Sequence, residues 1–347
     1  MFYYFDLMIS NPIFLVSSLL ILGVIFVNGW TDAPNAIATA VATRAMKVNT
    51  AIFIAAIFNF LGVFTMCMIN NSVAMTIYNI ADFNNDPHYS LIALCAAMSA
   101  IVIWALAAWY FGIPTSESHA LISGLSGAAI ALTQSFSSIR LEEWYKVLVG
   151  IVLSIGLGFI LAILITGIIV LICRNKDRLT CTPYFLKLQI ISSAAMAFMH
   201  GAQDGQKFIA VFLLTSSFAL NQTNLNVFEI PVWMMALCSF VMAIGTSIGG
   251  HRIIRSIGMD MVKLKPYQGV SADIASIVCL VISTLFGLPV STTHTKTASI
   301  LGVGAYKGIG QINIEVVKDL VYAWIFTFPG CGILGFIMAR LYLMILG

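Results

Sequence analysis

Two carboxylates, Asp32 and Asp204, stand inside long apolar stretches 172 positions apart, in Asn28-Gly-Trp-Thr-Asp-Ala-Pro-Asn35 and His200-Gly-Ala-Gln-Asp-Gly-Gln-Lys207. A lone carboxylate in hydrocarbon is costly, so each needs a cation, a proton or hydrogen-bonding partners. A second pair of segments recurs at a spacing of 175: Phe111-Gly-Ile-Pro-Thr-Ser116-Glu-Ser-His119 and Phe286-Gly-Leu-Pro-Val-Ser291-Thr-Thr-His294. Each Gly-x-Pro is followed by hydroxyls, Thr115, Ser116 and Ser118 in one copy and Ser291, Thr292 and Thr293 in the other. Hydroxyls and free amides at a helix start form a neutral donor cradle, and the helix dipole there favours an anion. N-capping alone explains one such cluster; its recurrence favours an oxyanion site. Two carboxylates beside that site would repel the anion unless a cation or proton travels with it. The residues therefore point to symport, with Asp32 and Asp204 binding or answering the coupling ion.

The elements that hold these residues are membrane helices. Of 347 residues 60% are apolar and 9% charged, against about 25% charged in a soluble domain. Too few charges remain to cover a water-facing globule, which excludes a soluble enzyme, a nucleic-acid binder and a disordered scaffold. Residues 7–31, 48–81, 147–173, 208–228, 230–251, 274–295 and 320–339 contain no Asp, Glu, Lys or Arg. Each run is as long as the roughly 20 residues a spanning helix needs, and none shows the short alternating segments of a β-barrel. The fold class is an all-α polytopic membrane protein. Ahead of the first run, Met1 to Asp6 carries no basic residue, so that run is expected to stay as a membrane helix. Seven scattered cysteines form no pair with metal or disulfide spacing and read as packing residues.

The paired signatures divide the chain into a first repeat (1–175), a connector (176–187) and a second repeat (188–347). Loop charges set the copies in opposite senses. Arg44 and Lys47 follow the first Asp signature, while 215–231 has no basic residue; 70–89 has none, while 249–266 has Arg252, Arg255, Lys263 and Lys265. Basic loops stay cytoplasmic, so this is an inverted-topology repeat with a cytoplasmic connector (Arg174, Lys176, Arg178, Lys187) and both termini extracytoplasmic, in the cell membrane. Inversion requires an odd number of crossings per half. Helices near 12–40, 50–70, 90–111 and 147–173, with a discontinuous or re-entrant element at 112–133, give five crossings per half and about 10–12 membrane elements in all. Inverted repeats are the usual architecture of secondary transporters, whose site lies where interrupted helices meet near midplane. Both signature pairs read as interruptions: Pro34 breaks a helix running from Ile13 towards Met46, and Gly112-Ile-Pro114 and Gly287-Leu-Pro289 break the later elements.

Asn28-Gly-Trp-Thr-Asp-Ala-Pro-Asn-Ala-Ile-Ala-Thr39, Thr43-Arg-Ala-Met46, His200-Gly-Ala-Gln-Asp-Gly-Gln-Lys207, Gly249-Gly-His-Arg-Ile-Ile254 and Pro289-Val-Ser-Thr-Thr-His294 together resemble the inorganic phosphate transporter (PiT) family, with the bacterial low-affinity permeases nearest. The resemblance runs from about residue 20 to 305. It implies a cation-coupled phosphate symporter working by alternating access, with phosphate met by Asn35, Ser116, Ser118, Lys207, Ser291, Thr292 and Thr293. The coupling ion, H⁺ or Na⁺, would fall to Asp32, Asp204, Gln203 and Glu117, with no metal site beyond Na⁺ at Asp32 and Asp204. A divalent metal carried with phosphate is an open alternative, no resident cofactor is implied, and a homodimer is left open, since no residue pattern derives it. Three residues depart from the family pattern. Gln203 stands where Asn is usual, Pro34 where a small residue is usual, and Glu117 replaces a hydroxyl residue inside the first cradle. The departures bear on the coupling ion and substrate more than on the fold.

Other features carry less weight. His119 and His294 recur at matched positions, either orienting their hairpins or entering transport; Lys207, which replaces Asn35 between copies, either balances Asp204 or meets phosphate; Lys296 either joins this chemistry or reaches an aqueous vestibule. Gly124-Leu-Ser126-Gly127 fits the GxSG of intramembrane serine proteases, with His119 or His200 as base, but the repeat places Leu301 at the matched position. A sulfate or other oxyanion permease and an ion channel are the remaining rivals. Neither a Walker A loop nor HExxH occurs, leaving ATP-driven transport and zinc proteolysis without support.

Overall fold

The computed structural model describes residues 2–83, 86–111, 115–221, 229–248, 254–255 and 261–347. Among them no β-strand occurs, and two isolated bridges (Ala81 with Ile139, Val262 with Ile312) are the only extended pairings. The first repeat consists of α1 (Phe2–Ser10), α2 (Pro12–Thr31), α3 (Pro34–Ala42), α4 (Val48–Ile69), α5 (Ser72–Tyr78), α6 (Pro87–Phe111), α7 (Glu117–Thr133) and α8 (Leu141–Cys173). The second consists of α9 (Arg178–Ala219), α10 (Val232–Ile248), α11 (Pro266–Leu285), α12 (Thr292–Lys307) and α13 (Ile314–Leu346). Residues 112–114 and 249–253, which carry the first Gly-x-Pro and most of the Gly249 motif, lie outside the described residues.

Helix ends follow from local chemistry. The Asn11 side chain accepts the Ile13 and Phe14 amides to start α2. Pro34 has no N–H, so α2 stops at Thr31 and the chain restarts as α3, as expected. The second signature behaves differently: α9 runs unbroken from Arg178 through Asp204 to Ala219. Position 206, equivalent to Pro34, is Gln, which keeps its N–H; the expected interruption is therefore absent there. The connector also shrinks, since α9 already begins at Arg178. Gly287, with φ of 66°, makes the turn out of α11, where a side chain would strike Ser72.

Helices α6 and α7 form one hairpin and α11 and α12 another. Their tips meet, with the His119 and His294 ring centroids 4.5 Å apart. The bridges Ala81–Ile139 and Val262–Ile312 bring the two ends of each hairpin together, so each hairpin is re-entrant and adds no net crossing; among the described residues the expected five crossings per half are therefore not reached. The faces are identifiable. Tyr4 packs on Trp233 at 5.0 Å, beside Phe212 near the end of α9; there Phe218 meets Phe83, whose carbonyl accepts from Ser90 at the start of α6, and His88 of the same turn lies 3.4 Å from the Leu346 carbonyl, so both chain ends share one face. At the other end of the 42-residue α9, Arg174, Lys176 and Arg178 of the connector and Lys265 at the start of α11 border a cavity of about 290 Å³ on the opposite face.

The repeats interlock. Helix α2 packs on α10, α9 on α4, α7 on α13 and α12 on α8, so each repeat is completed by the other. Close approach demands glycine at these seams: a Cβ on Gly201 would run into the Asn59 carbonyl of α4, and one on Gly29 into the Met242 carbonyl of α10. Helices α8 and α13 lie at the periphery, presenting Val152 and Leu171 (each 71% exposed) and Met344 (79%) outward, as lipid-facing surfaces should.

Candidate functional site

At the centre the α2/α3 break, the middle of α9 and the starts of α7 and α12 converge. Ser116 and Ser291 are N-caps, accepting the His119 and His294 amides at 3.2 Å each. That capping frees the next hydroxyls to point inward. Ser118 and Thr292 donate to opposite oxygens of Asp204, at 3.3 and 3.2 Å, while Thr293 donates to Asp32 Oδ1. Lys207 Nζ donates to Asp204 Oδ1, Ser118 Oγ and the Val290 carbonyl, all at 2.6 Å, which uses the full capacity of an ammonium. Asn28 Nδ2 donates to Asp204 Oδ2 at 3.4 Å, and His200 Nε2 stands 3.3 Å from the same oxygen. His200 is oriented through Nδ1 by Asn59 Oδ1 at 2.9 Å.

The environment of Asp32 is thinner. Asn35 Nδ2 donates to Asp32 Oδ1 at 2.6 Å and to Thr293 Oγ1 at 2.8 Å. Glu117 accepts from the Thr31 hydroxyl. Asp32 Oδ2, Asn35 Oδ1, Asn28 Oδ1 and Glu117 Oε2 are buried without a hydrogen-bond partner. Buried acceptors normally have one, so these oxygens suit a cation or a proton. Ligand atoms of Asp32, His200 and Asp204 lie within 4.8 Å of one another, close enough for one small cation. No site residue is more than 3% exposed, so the centre is occluded from both faces.

The structure thus gathers Asp32, Asn35, Glu117, Ser118, Asp204, Lys207, Thr292 and Thr293, with Ser116 and Ser291 as supports. Gln203 turns aside: Nε2 donates to the Leu288 carbonyl at 2.9 Å and Oε1 accepts from Thr284 at 3.4 Å, bracing the second hairpin. Lys296 reaches no vestibule; it is buried and paired with Asp273. Ser126 donates to the Ile122 carbonyl at 2.8 Å and accepts from Trp144 Nε1 at 3.1 Å, spending the hydroxyl a protease would need. All seven cysteines are free. Sequence reasoning missed Asp273, although it is the single charged residue between Lys265 and Lys296 and carries the same signal as Asp32.

A family model described as "Phosphate transporter family" matches residues 28–186 and again 172–335. The protein named "Probable low-affinity inorganic phosphate transporter" in Bacillus subtilis is 34% identical over 310 residues, covering 89% of this chain and 91% of its own. Its namesake in Rhizobium meliloti is 36% identical over 313 residues, covering 89% and 90%. A solved structure described as "The sodium-dependent phosphate transporter" superposes with a TM-score of 0.88 at 20% identity, over 97% of this chain and all of that one, and shares the fold.

Proposed function

The chain belongs to the phosphate transporter family, and from that premise we propose that it imports inorganic phosphate by symport with a cation. It is a multi-pass membrane protein and not an enzyme. The observation that carries the proposal is the convergence of two helix starts, through Ser118, Thr292 and Thr293, on a buried Asp32/Asp204 pair that holds a single lysine. With phosphate between the hairpin tips, those hydroxyls, the free amides of α7 and α12 and Lys207 are the donors, as helix N-termini and ammonium groups serve for oxyanions.

Charge decides the need for a coupling ion. The site holds the carboxyl groups of Asp32, Glu117 and Asp204 against one ammonium, before any phosphate arrives. Adding an anion to this dry site requires H⁺ or Na⁺ beside the unpartnered oxygens of Asp32, Asn35, Asn28 and Glu117, or entry of phosphate as a neutral metal complex. The superposed transporter is named as sodium-dependent, which supports Na⁺; Glu117 supports H⁺. Loop charges orient the connector face to the cytoplasm and the termini outward. Because the repeats interlock, the moving parts are the two hairpins rather than two halves. Opening to the termini face parts Ser118 from Lys207; opening to the connector face parts Thr293 from Asn35.

Labelled phosphate uptake into proteoliposomes under imposed pH or Na⁺ gradients, with sulfate as competitor, is the test. Saturable uptake driven by one gradient and resistant to excess sulfate is expected. No uptake under any gradient, or uptake undiminished in Asp32→Asn and Asp204→Asn, overturns the proposal. Preference for sulfate assigns the site to another oxyanion, and conductance without saturation makes the protein a channel.

A further inference from the structure

One helical turn from the central site lies a second buried cluster of charge. Thr39 follows Asn35 by four residues on α3, and Lys296 follows Thr293 by three on α12, a displacement of about 5 Å along each axis. The two elements therefore make successive rungs towards the connector face: Asn35 to Thr293 at 2.8 Å, then Lys296 Nζ to Thr39 Oγ1 at 3.2 Å. Asp273 of α11 sits at the second rung. Its Oδ1 accepts from Lys296 and from Thr39 at 2.7 Å; its Oδ2 accepts from Ser192 at 2.6 Å, Ser193 at 3.1 Å and Gln189 Nε2. Asp273, Lys296, Thr39, Gln189 and Ser193 are 0% exposed and Ser192 is 5%.

One ammonium, three hydroxyls and one amide thus converge on a single carboxylate. This donor set suits a tetrahedral oxyanion, with the Asp273 carboxylate standing in for it. The fold does not demand such a cluster. In the other repeat the matched positions are Met98 for Asp273, Leu121 for Lys296, Val211 for Thr39, Leu20 for Ser192 and Ile21 for Ser193, all packed in the largest apolar cluster, with Ser17 at the place of Gln189 as the single polar residue. Apolar packing closes that side well, and a buried ion pair is rarely better for stability than apolar residues of similar volume. The polar version therefore calls for a purpose peculiar to the connector side.

Resting on the reading of the centre as the phosphate site, we infer that Lys296, Thr39, Gln189, Ser192 and Ser193 form a second oxyanion station between the centre and the connector face, closed by Asp273. The hairpin carries Asp273 and Lys296, whereas α3 and α9 carry the hydroxyls and the amide. When the hairpin parts from α3 and α9, Asp273 leaves with it and those donors are released to phosphate. The four-carbon arm of Lys296 reaches the anion across the opened cleft.

The test is a side-specific KM, measured with right-side-out and inside-out vesicles. The neutral double variant Asp273→Asn with Lys296→Gln leaves no unpaired buried charge. Its KM for phosphate offered at the connector face rises about tenfold, the worth of a charge-assisted hydrogen bond, while KM from the termini face stays at the wild-type value. Thr39→Val, a milder change that serves if the double variant does not fold, raises the same KM about threefold, as loss of a neutral bond should. An unchanged KM from both faces, or an equal rise from both, overturns the second station. Wild-type protein that moves no phosphate from either face instead sinks the reading of the central site.

Discussion

The two signature carboxylates occupy matched places in the repeats and are held in opposite ways. Asp204 has both oxygens engaged, by Lys207, Ser118, Thr292 and Asn28, with His200 beside them. Asp32 has one oxygen engaged, by Asn35 and Thr293, and the other free, next to a second carboxyl group, Glu117, that is likewise half-satisfied. One contributor is an exchange in the duplicated signature, where Lys207 occupies the position of Asn35; the hydroxyls of both hairpins and Asn28 add to it by converging on Asp204. The second repeat carries a covalently attached ammonium beside its carboxylate, whereas the first carries an amide at the same position. On the proposed function, Lys207 acts as a fixed counter-charge in the second repeat, and the half-satisfied oxygens of the first are the place for the coupling ion.

The largest effect that sharpens this contrast comes from breaking the tethered pair. Lys207→Met leaves Asp204 uncompensated and lowers stability by about 3–5 kcal/mol, the usual penalty for removing one partner of a buried pair. Melting in detergent measures it, and a change below about 1 kcal/mol would mean Lys207 is not the counter-charge. Asp32→Asn should do the reverse, keeping the melting temperature within a few degrees while abolishing gradient-driven uptake. Lys207→Asn replaces the tethered ammonium by the amide that the first repeat carries at the same position. Its melting temperature should rise with NaCl but not with choline chloride, by ligand linkage, reaching about 2.7 kcal/mol of recovered stability at a hundredfold excess over Kd; no difference between the salts would break the comparison. Glu117→Thr, which restores a hydroxyl to the first cradle, should leave uptake measurable and flatten its dependence on the pH gradient. Gln203→Asn gives the smallest effect, since one bond to Leu288 is weakened, and uptake should fall by less than about tenfold, near 1 kcal/mol.

Much of this was legible beforehand. Asp32 and Asp204 were conspicuous because carboxylates in apolar runs are costly, and the hairpin starts because Gly-x-Pro with hydroxyls repeats. The break at Pro34 follows from a missing N–H. Continuity of α9 was hidden by likeness between the signatures, although the loss of proline at Gln206 was its sign. Gln203, read beside the ion through its neighbour Asp204, faces Leu288, because adjacent helix positions point about 100° apart.

By itself the sequence determined the class, the duplication and the identity of the buried charges, since hydropathy, repeat spacing and desolvation are properties of residue type and order. Only the tertiary structure decided which charge meets which. Lys207 is three residues from Asp204 and turns to it within one helix, but Thr293 reaches Asp32, Ser118 reaches Asp204 and Lys296 reaches Asp273 across elements from 23 to 261 residues apart. Such pairings depend on helix rotation and on glycine seams that let the interlocked repeats approach, and those are set by packing in three dimensions.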